Sequence, residues 1–383
     1  MKSGLREICL FLAPTCGYFE DVAMGVAEYA RRQSRWVIEI CPSLDAAVGT
    51  TAKYRPRGVL VASNGSVYSK LMRRLKVPAV ELGGEANLGL PVVSTDNHAI
   101  GQMGAEHLMD LGFRHFAFCG YRHMSWSLER EAGFRAALKV EPGNYSHYGA
   151  GEGEIYVGAV SKSLAKWVKA LPKPVAIMAC HDRVAMLLAF ACNLLRLRVP
   201  DEVAILGVDN SLLECGFTNP PLSSIMGSAR RVGYESAALL DRLIDGKSPP
   251  RKPLLVPPAG VARRQSTDVL AISDPDVLAA MKYIHAHCSE GINVADVAAA
   301  VLVSRRMLER KFLRLINRTP GHELLRARVA RAKSHLVNGT QQVLQVAIDS
   351  GFPSASKLSS VFKRKTGVSP TEYRKLYGVG SVT

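Results

Sequence analysis

Two separate stretches of the chain carry side chains whose types and spacing suit them to chemistry. In the C-terminal third, Arg306 and Arg310 stand four residues apart, with Leu308 and Phe312 offset between and after them. On a helix this spacing puts the arginines on one face and the apolar pair on another. Arginine supplies the planar fork that reads guanine in the major groove. Upstream, Val294–Ala300 predicts a short helix, 301–303 a tight turn, and Ser304 an N-cap for the next helix. That is the layout of a helix-turn-helix. Residues 343–362 repeat it: Gly351 suits the turn, and Ser354 or a neighbour caps the second helix. There Leu358 and Phe362 face inward, while Ser356, Lys357 and Ser360 project outward. A helix predicted over 323–336 joins the units. At 1.5 Å per residue it is about 21 Å long, enough to hold two recognition helices roughly one DNA turn apart. One such pattern fits a helical bundle with a solvated basic face equally well; two units with a basic spacer do not.

The second set lies in the first two-thirds of the chain. Asp182 follows the apolar run 176–180, and Asp209 with Asn210 follows the run 204–208. A hydroxyl-rich ligand needs carboxylates, amides and guanidinium groups, plus an aromatic face for the apolar side of its ring. Arg130 is a candidate clamp, Trp126 and Tyr18 or Phe19 are candidate ring faces, and Asn64 is a further amide after the run 58–62. Each has a plainer reading: Asp182 as a helix cap, Asp209 and Asn210 as turn formers, Trp126 as core. Asp96 and Asn97 read as a cap. His181 and Asp182 are adjacent, and neighbours at a strand end do not point at each other. No G-x-S-x-G elbow or P-loop occurs. The expectation is a binding protein rather than an enzyme, with a sugar-processing enzyme fused to a DNA-binding module as the alternative.

The elements that position these residues alternate. From residue 7 to about 261, short apolar strands (8–13, 37–41, 58–62, 79–82, 116–120, 176–180, 204–208) are interleaved with amphipathic helices (21–32, 67–75, 97–111, 129–139, 162–171, 183–195, 228–245). Continuous apolar strands between helices imply parallel sheets covered on both faces. The expected fold is a two-lobed α/β domain, with ligands bound beyond the carboxyl ends of its strands, followed by an all-α domain with two helix-turn-helix motifs. Prolines at 249, 250, 253, 257 and 258 punctuate the end of the first part. The expected boundaries are an effector-binding domain at 1–267, a linker at 268–275, a DNA-binding domain at 276–377 and a tail at 378–383.

Charge supports this division. The 383-residue chain has a net charge of +16, and residues 301–383 hold 16 Lys and Arg against 4 Asp and Glu. A basic block on a nearly neutral body suggests a polyanionic partner. The eight cysteines are scattered, without C-x-x-C pairs or zinc spacing, so no metal or other cofactor is expected. No run of about 18 apolar residues exists, and the N-terminus lacks a signal-peptide core. A cytoplasmic protein is expected, not a transport-type sugar-binding protein.

The residues from 292 to 374 resemble the AraC family of bacterial regulators, most clearly in VFKRKTGVSPTEYR at 361–374. The resemblance implies that each unit lays one helix in the major groove. It makes Arg306, Glu309 and Arg310 the base readers of the first unit and Ser356, Lys357 and Ser360 those of the second, with Arg305 and Arg364 as further DNA contacts. Leu302 departs from the family, which usually carries glycine at that turn. The phrases STDN (94–97), REAGF (130–134), HDRVA (181–185) and LGVDNS (206–211) resemble LacI-type, periplasmic-binding-protein-like effector domains. That likeness points to Arg130, Asp182 and Asp209 as ligand contacts. A sugar-sensing domain before an AraC-type domain resembles the xylose-responsive regulators, which implies xylose or another pentose as effector. The implied partners are operator DNA, the sugar, a second copy of the chain and RNA polymerase.

Overall fold

The computed structural model describes residues 5–12, 17–33, 35–41, 43, 45–46, 48–49, 56–62, 69–83, 88–138, 142–151, 161–268, 274–316 and 318–377. Strand β1 (Arg6–Leu12) leads into α1 (Gly17–Gln33), β2 (Trp36–Cys41), β3 (Gly58–Ala62), α2 (Ser69–Leu75), β4 (Ala79–Leu82) and β5 (Val92–Thr95). Helix α3 (Asn97–Asp110) precedes β6 (His115–Tyr121), α4 (Ser125–Ala137), β7 (Tyr145–Ala150), α5 (Lys162–Ala170) and β8 (Val175–Ala179). Then come α6 (Asp182–Leu194), β9 (Val203–Val208), the short α7 (Leu212–Gly216), β10 (Ser223–Met226), α8 (Ala229–Ile244), β11 (Leu254–Val256) and β12 (Gly260–Ala262).

Among the described residues these strands form two sheets, ordered β11-β5-β4-β3-β1-β2 and β12-β10-β9-β8-β6-β7. The pairings are parallel except that of β10 with β12. β8 and β9 are buried along their whole length, as strands covered on both faces must be. The first lobe closes over Val22, Val26, Leu60, Val80 and Leu240; the second over Phe118, Phe134, Ile177 and Leu206. Each such side chain contributes about 1.5–3 kcal/mol when fully buried. The two-lobed α/β expectation is therefore met.

The chain passes between the lobes three times. β5 belongs to the first sheet, but the α3 that follows packs on β8 and β10 of the second. β10 belongs to the second, but α8 packs on β3, β4 and β5 of the first. β11 and β12 then join opposite sheets. Backbone hydrogen bonds from Asp96 N to Val256 O (2.9 Å) and from Ala259 N to Met226 O (3.0 Å) lace the three crossings together. On the second lobe α3 lies hard against α4. A Cβ on Gly101 would fall 2.0 Å from the Arg130 carbonyl oxygen, and one on Gly133 would fall 2.1 Å from that of His98.

The C-terminal helices are α9 (Pro275–His287), α10 (Val294–Ala300), α11 (Arg305–Ile316), α12 (Pro320–Asn338), α13 (Val343–Asp349), α14 (Ala355–Thr366) and α15 (Pro370–Tyr377). Helix α12 serves two cores. Leu324 joins Val277, Ile284, Leu308 and Phe312; Val329, Ala332 and Leu336 join Val346, Leu358, Phe362 and Tyr373. This spacer is longer than the 323–336 expected. Thr319 caps it by accepting from His322 N (3.2 Å), and Pro320 has the fixed φ that suits a first turn. Its 19 residues span about 28 Å. Residues 269–273 of the expected linker lie outside the described residues. Asp274 caps α9 by accepting from Asp276 N and Val277 N. No described helix is long and apolar enough to cross a membrane.

Candidate effector site and DNA-contacting face

The carboxyl ends of β6, β8 and β9 lie side by side in the second sheet, and the site is built on them. Tyr121 ends β6, Trp126 and Arg130 start the next helix, His181 follows β8, and Asp209 and Asn210 follow β9. Trp126 stacks on His181, with ring centroids 5.7 Å apart, and Tyr121 meets Trp126 edge-on at 5.8 Å. The Arg130 guanidinium lies 5.0 Å from the Trp126 ring centroid, an attractive cation–π arrangement. Arg130 is only 5% exposed. Its Nε donates to Asn97 Oδ1 (3.0 Å), one Nη donates to the Cys180 carbonyl, and the other stands 3.8 Å from Asp209 Oδ1. Asn97 is itself oriented by donating to Glu129 Oε2 (3.1 Å).

Asp182 is 2% exposed, and both its oxygens are engaged. They accept from Ser211 N (2.7 Å) and Ser224 Oγ (2.6 Å). It does not cap α6. His181 does so, its Nδ1 accepting from Val184 N (3.2 Å). Asp182 instead secures the 209–211 loop, where Asp209 and Asn210 sit at φ 99° and 56°. Two successive side chains in that region store strain unless the surroundings hold them. Asn210 N donates to Ser224 Oγ (2.9 Å), and Asn210 Oδ1 accepts from Arg264 (2.7 Å). From the first lobe, the Tyr18 hydroxyl shares a hydrogen bond with Thr95 Oγ1 at the end of β5 (3.1 Å). Phe19, expected as a ring face for the ligand, is buried in the first-lobe core. Asn64 lies outside the described residues.

Burial raises Asp209 above the ordinary carboxylate range, against the pull of Arg130. Burial and the neighbouring Asp209 charge push Asp182 up to about 7. Burial, with Arg130 beside it, drives His181 down to about 3, so the imidazole is neutral. A fixed guanidinium, an accepting carboxylate and stacked aromatic faces can bind a ring with hydroxyls on its edge and carbons on its face. His181 and Asp182 bond different partners and form no acid–base dyad. Asn97, Glu129, Tyr121 and Ser224 were not anticipated. Asn97 follows the capping Asp96 in STDN, and the cap reading absorbed both.

The two helix-turn-helix units present matching faces. On α11, Leu308 and Phe312 are buried while Arg305, Arg306 and Arg310 are exposed. Arg305 Nε pairs with Glu309 Oε1 at 2.9 Å. On α14, Ser354 caps by accepting from Lys357 N (3.1 Å), Leu358, Val361 and Phe362 are buried, and Ser356, Lys357, Ser360 and Arg364 are exposed. Ser360 Oγ donates back to the Lys357 carbonyl (3.2 Å). Leu302 and Gly351 take the turns at φ 57° and 77°.

Comparison with known proteins agrees with this division. Residues 105–267 match a periplasmic binding protein-like domain, and residues 297–376 match a helix-turn-helix domain. The chain is 31% identical to the xylose operon regulatory protein of Escherichia coli (strain K12), covering 98% of each. It is 28% identical to that of Haemophilus influenzae, over 98% of this chain and 99% of the relative. Among solved structures, the xylose-binding transcription activator XylR matches with a TM-score of 0.62 at 29% identity, over 99% of this chain and 100% of that one.

Proposed function

This chain belongs to the xylose operon regulatory protein family, and on that premise we propose that it switches transcription when a pentose, xylose first among the candidates, closes its two lobes. It is a sequence-specific DNA-binding regulator controlled by a small sugar. We assign sensing to residues 1–267, the connection to 268–275 and DNA binding to 276–377. The observation that carries the sugar assignment is Arg130, buried and held by Asn97 and Cys180, set beside Asp209 and under the Trp126 ring.

Arg130, Asp209, Asn210 and Trp126 form the second-lobe wall, with Tyr18 facing from the first. Asp182 acts through the 209–211 loop it holds. The site binds its sugar without converting it. On DNA, Arg306, Glu309 and Arg310 read the first half-site, and Ser356, Lys357 and Ser360 the second, with Arg305 and Arg364 on phosphates. The protein works as a homodimer in the cytoplasm, four recognition helices to an operator, and reaches RNA polymerase where it activates. A thermal-shift screen over pentoses and hexoses tests the sensor, followed by operator-binding anisotropy with and without the stabilising sugar. A chain that no sugar stabilises is not a sugar sensor.

A further inference from the structure

Among the described residues, the DNA-binding domain is fastened to the sensor at Asp110 and at Ala259, and each lies on an element whose other end reaches the effector site. The first is Asp110, the last residue of α3. Its two carboxylate oxygens pair with Arg318 and Arg326, and Arg318 also donates to the Asp110 carbonyl (3.0 Å). Both arginines are gathered by the buried Glu323, whose Oε2 lies 2.6 Å from Arg318 Nε and 3.4 Å from Arg326 Nε. Burial pushes the Glu323 carboxyl up, but His285, Arg326 and Arg318 outweigh it and hold it at about 2. A turn before Asp110 stands Glu106; burial lowers the Lys333 amine of the spacer helix, and the Glu106 charge works against that. At the opposite end of the same helix, Asn97 holds Arg130.

The second attachment is the Tyr373 hydroxyl, which donates to the Ala259 carbonyl in the crossing between β11 and β12. Two residues beyond β12, Arg264 holds Asn210. Helix α3 is 14 residues long, about 21 Å. It is locked to α4, the helix that bears Arg130, by the glycine contacts at 101 and 133. Such a helix moves as one body rather than bending.

We propose that α3 is a strut that carries the state of the crevice to the DNA-binding domain, with Asp110 as its latch and Tyr373 on Ala259 as a second attachment. The proposal rests on the sugar-sensor reading. Movement of Arg130 or of the 209–211 loop on binding is thereby felt at Arg318, Arg326 and Tyr373. The spacer helix on which both recognition units are built shifts with them. The coupling is reciprocal: what the sugar does to operator affinity, the operator does to sugar affinity.

The test uses the full chain with Asp110→Asn and, separately, Tyr373→Phe. The latter keeps the ring against Phe362 and deletes only the hydroxyl. Amide hydrogen exchange without sugar or DNA should rise in the spacer helix for Asp110→Asn and at Ala259 and Gly260 for Tyr373→Phe, while β8 and β9 keep their protection. With D-xylose as the probe, the thermal shift should survive in both variants. The ratio of operator affinities with and without D-xylose should fall toward one, by about fivefold or more in Asp110→Asn. Wild-type exchange together with a wild-type ratio in both variants overturns the strut and leaves the sensor reading intact. A wild-type protein stabilised by D-xylose whose operator affinity ignores it overturns the sensor reading, and the strut's message with it.

Discussion

Leu302 and Gly351 occupy the same turn position in the two helix-turn-helix units, and both are held at positive φ, 57° and 77°. Only one of them needs to be glycine. A Cβ on Gly351 would fall 2.0 Å from the Cys288 carbonyl oxygen, whereas the Leu302 side chain is 93% exposed. The first turn therefore tolerates a side chain sterically but bears the backbone strain of a left-handed leucine. Leu302→Gly should raise stability by about 1 kcal/mol or less, the strain relieved exceeding the entropy that glycine adds to the unfolded chain. Gly351→Ala should destabilise by more than that. Chemical denaturation of the two variants decides; a stabilising Gly351→Ala would contradict this account of the turn.

Arg306 and Arg364 should fail differently. Arg306→Ala should cost about 1–3 kcal/mol on operator DNA and relax one base preference. Arg364→Ala should weaken all duplexes alike and lower the slope of log affinity against log salt by about one. Anisotropy titrations on operator and scrambled duplexes at several salt concentrations separate the two. Unchanged base preference in Arg306→Ala removes it from the readers.

On the sensor side, Arg130→Ala and Asp209→Ala should each abolish the melting shift given by the stabilising sugar. Trp126→Ala should weaken it by removing the ring face. Arg130→Ala also strips Asn97 and Asp209 of a partner, so its melting point without sugar should drop as well. An undiminished shift in Asp209→Ala takes that carboxylate out of the pocket.

Asp182 gives a pH dependence with a definite sign. Its folded value of about 7 lies above the ordinary carboxylate value, because burial and Asp209 disfavour its charge. Its protonated form is thus favoured by folding. Stability is fully retained below the unfolded value near 4 and is lost as the pH rises toward 7. Asp182→Asn, which keeps one acceptor for Ser211 and has no charge to bury, should flatten the pH dependence of melting between about pH 4 and 7. An identical pH profile in the variant would show that Asp182 does not titrate there.

Much of this was legible in the sequence because it was periodic. The strands 58–62, 79–82 and 204–208 and the helices of both helix-turn-helix units announce themselves through apolar spacing. Strands β5, β10, β11 and β12 did not: they are three or four residues long and, unlike 79–82, lie at the crossings between the lobes, where the strand–helix alternation breaks. β10 buries two serines, Ser223 and Ser224, and β7 is a polar edge strand, YSHYGA. The site was half legible. Asp209 and Asn210 stand out by their place after an apolar strand, and Arg130 by the REAGF phrase at 130–134. The burial of Phe19, the inward turn of Asp182 and the hold of Asn97 on Arg130 depend on packing between segments distant in sequence, which no local pattern records. The same is true of Asp110, an ordinary helix terminus until Arg318 and Arg326 close on it.

The three crossings also set a timetable for the nascent chain. Each sheet takes its last edge strand from residues 254–262, so neither lobe can finish its hydrogen-bonded ladder before that stretch has left the ribosome. The lobes must mature together rather than one after the other, with long-range pairings waiting on late residues. A chain halted between the lobes, near residue 113, or after β10, near 226, should expose open sheet edges and attract chaperones. Only when both edges are sealed does the basic segment begin to emerge, onto a surface already built to receive it.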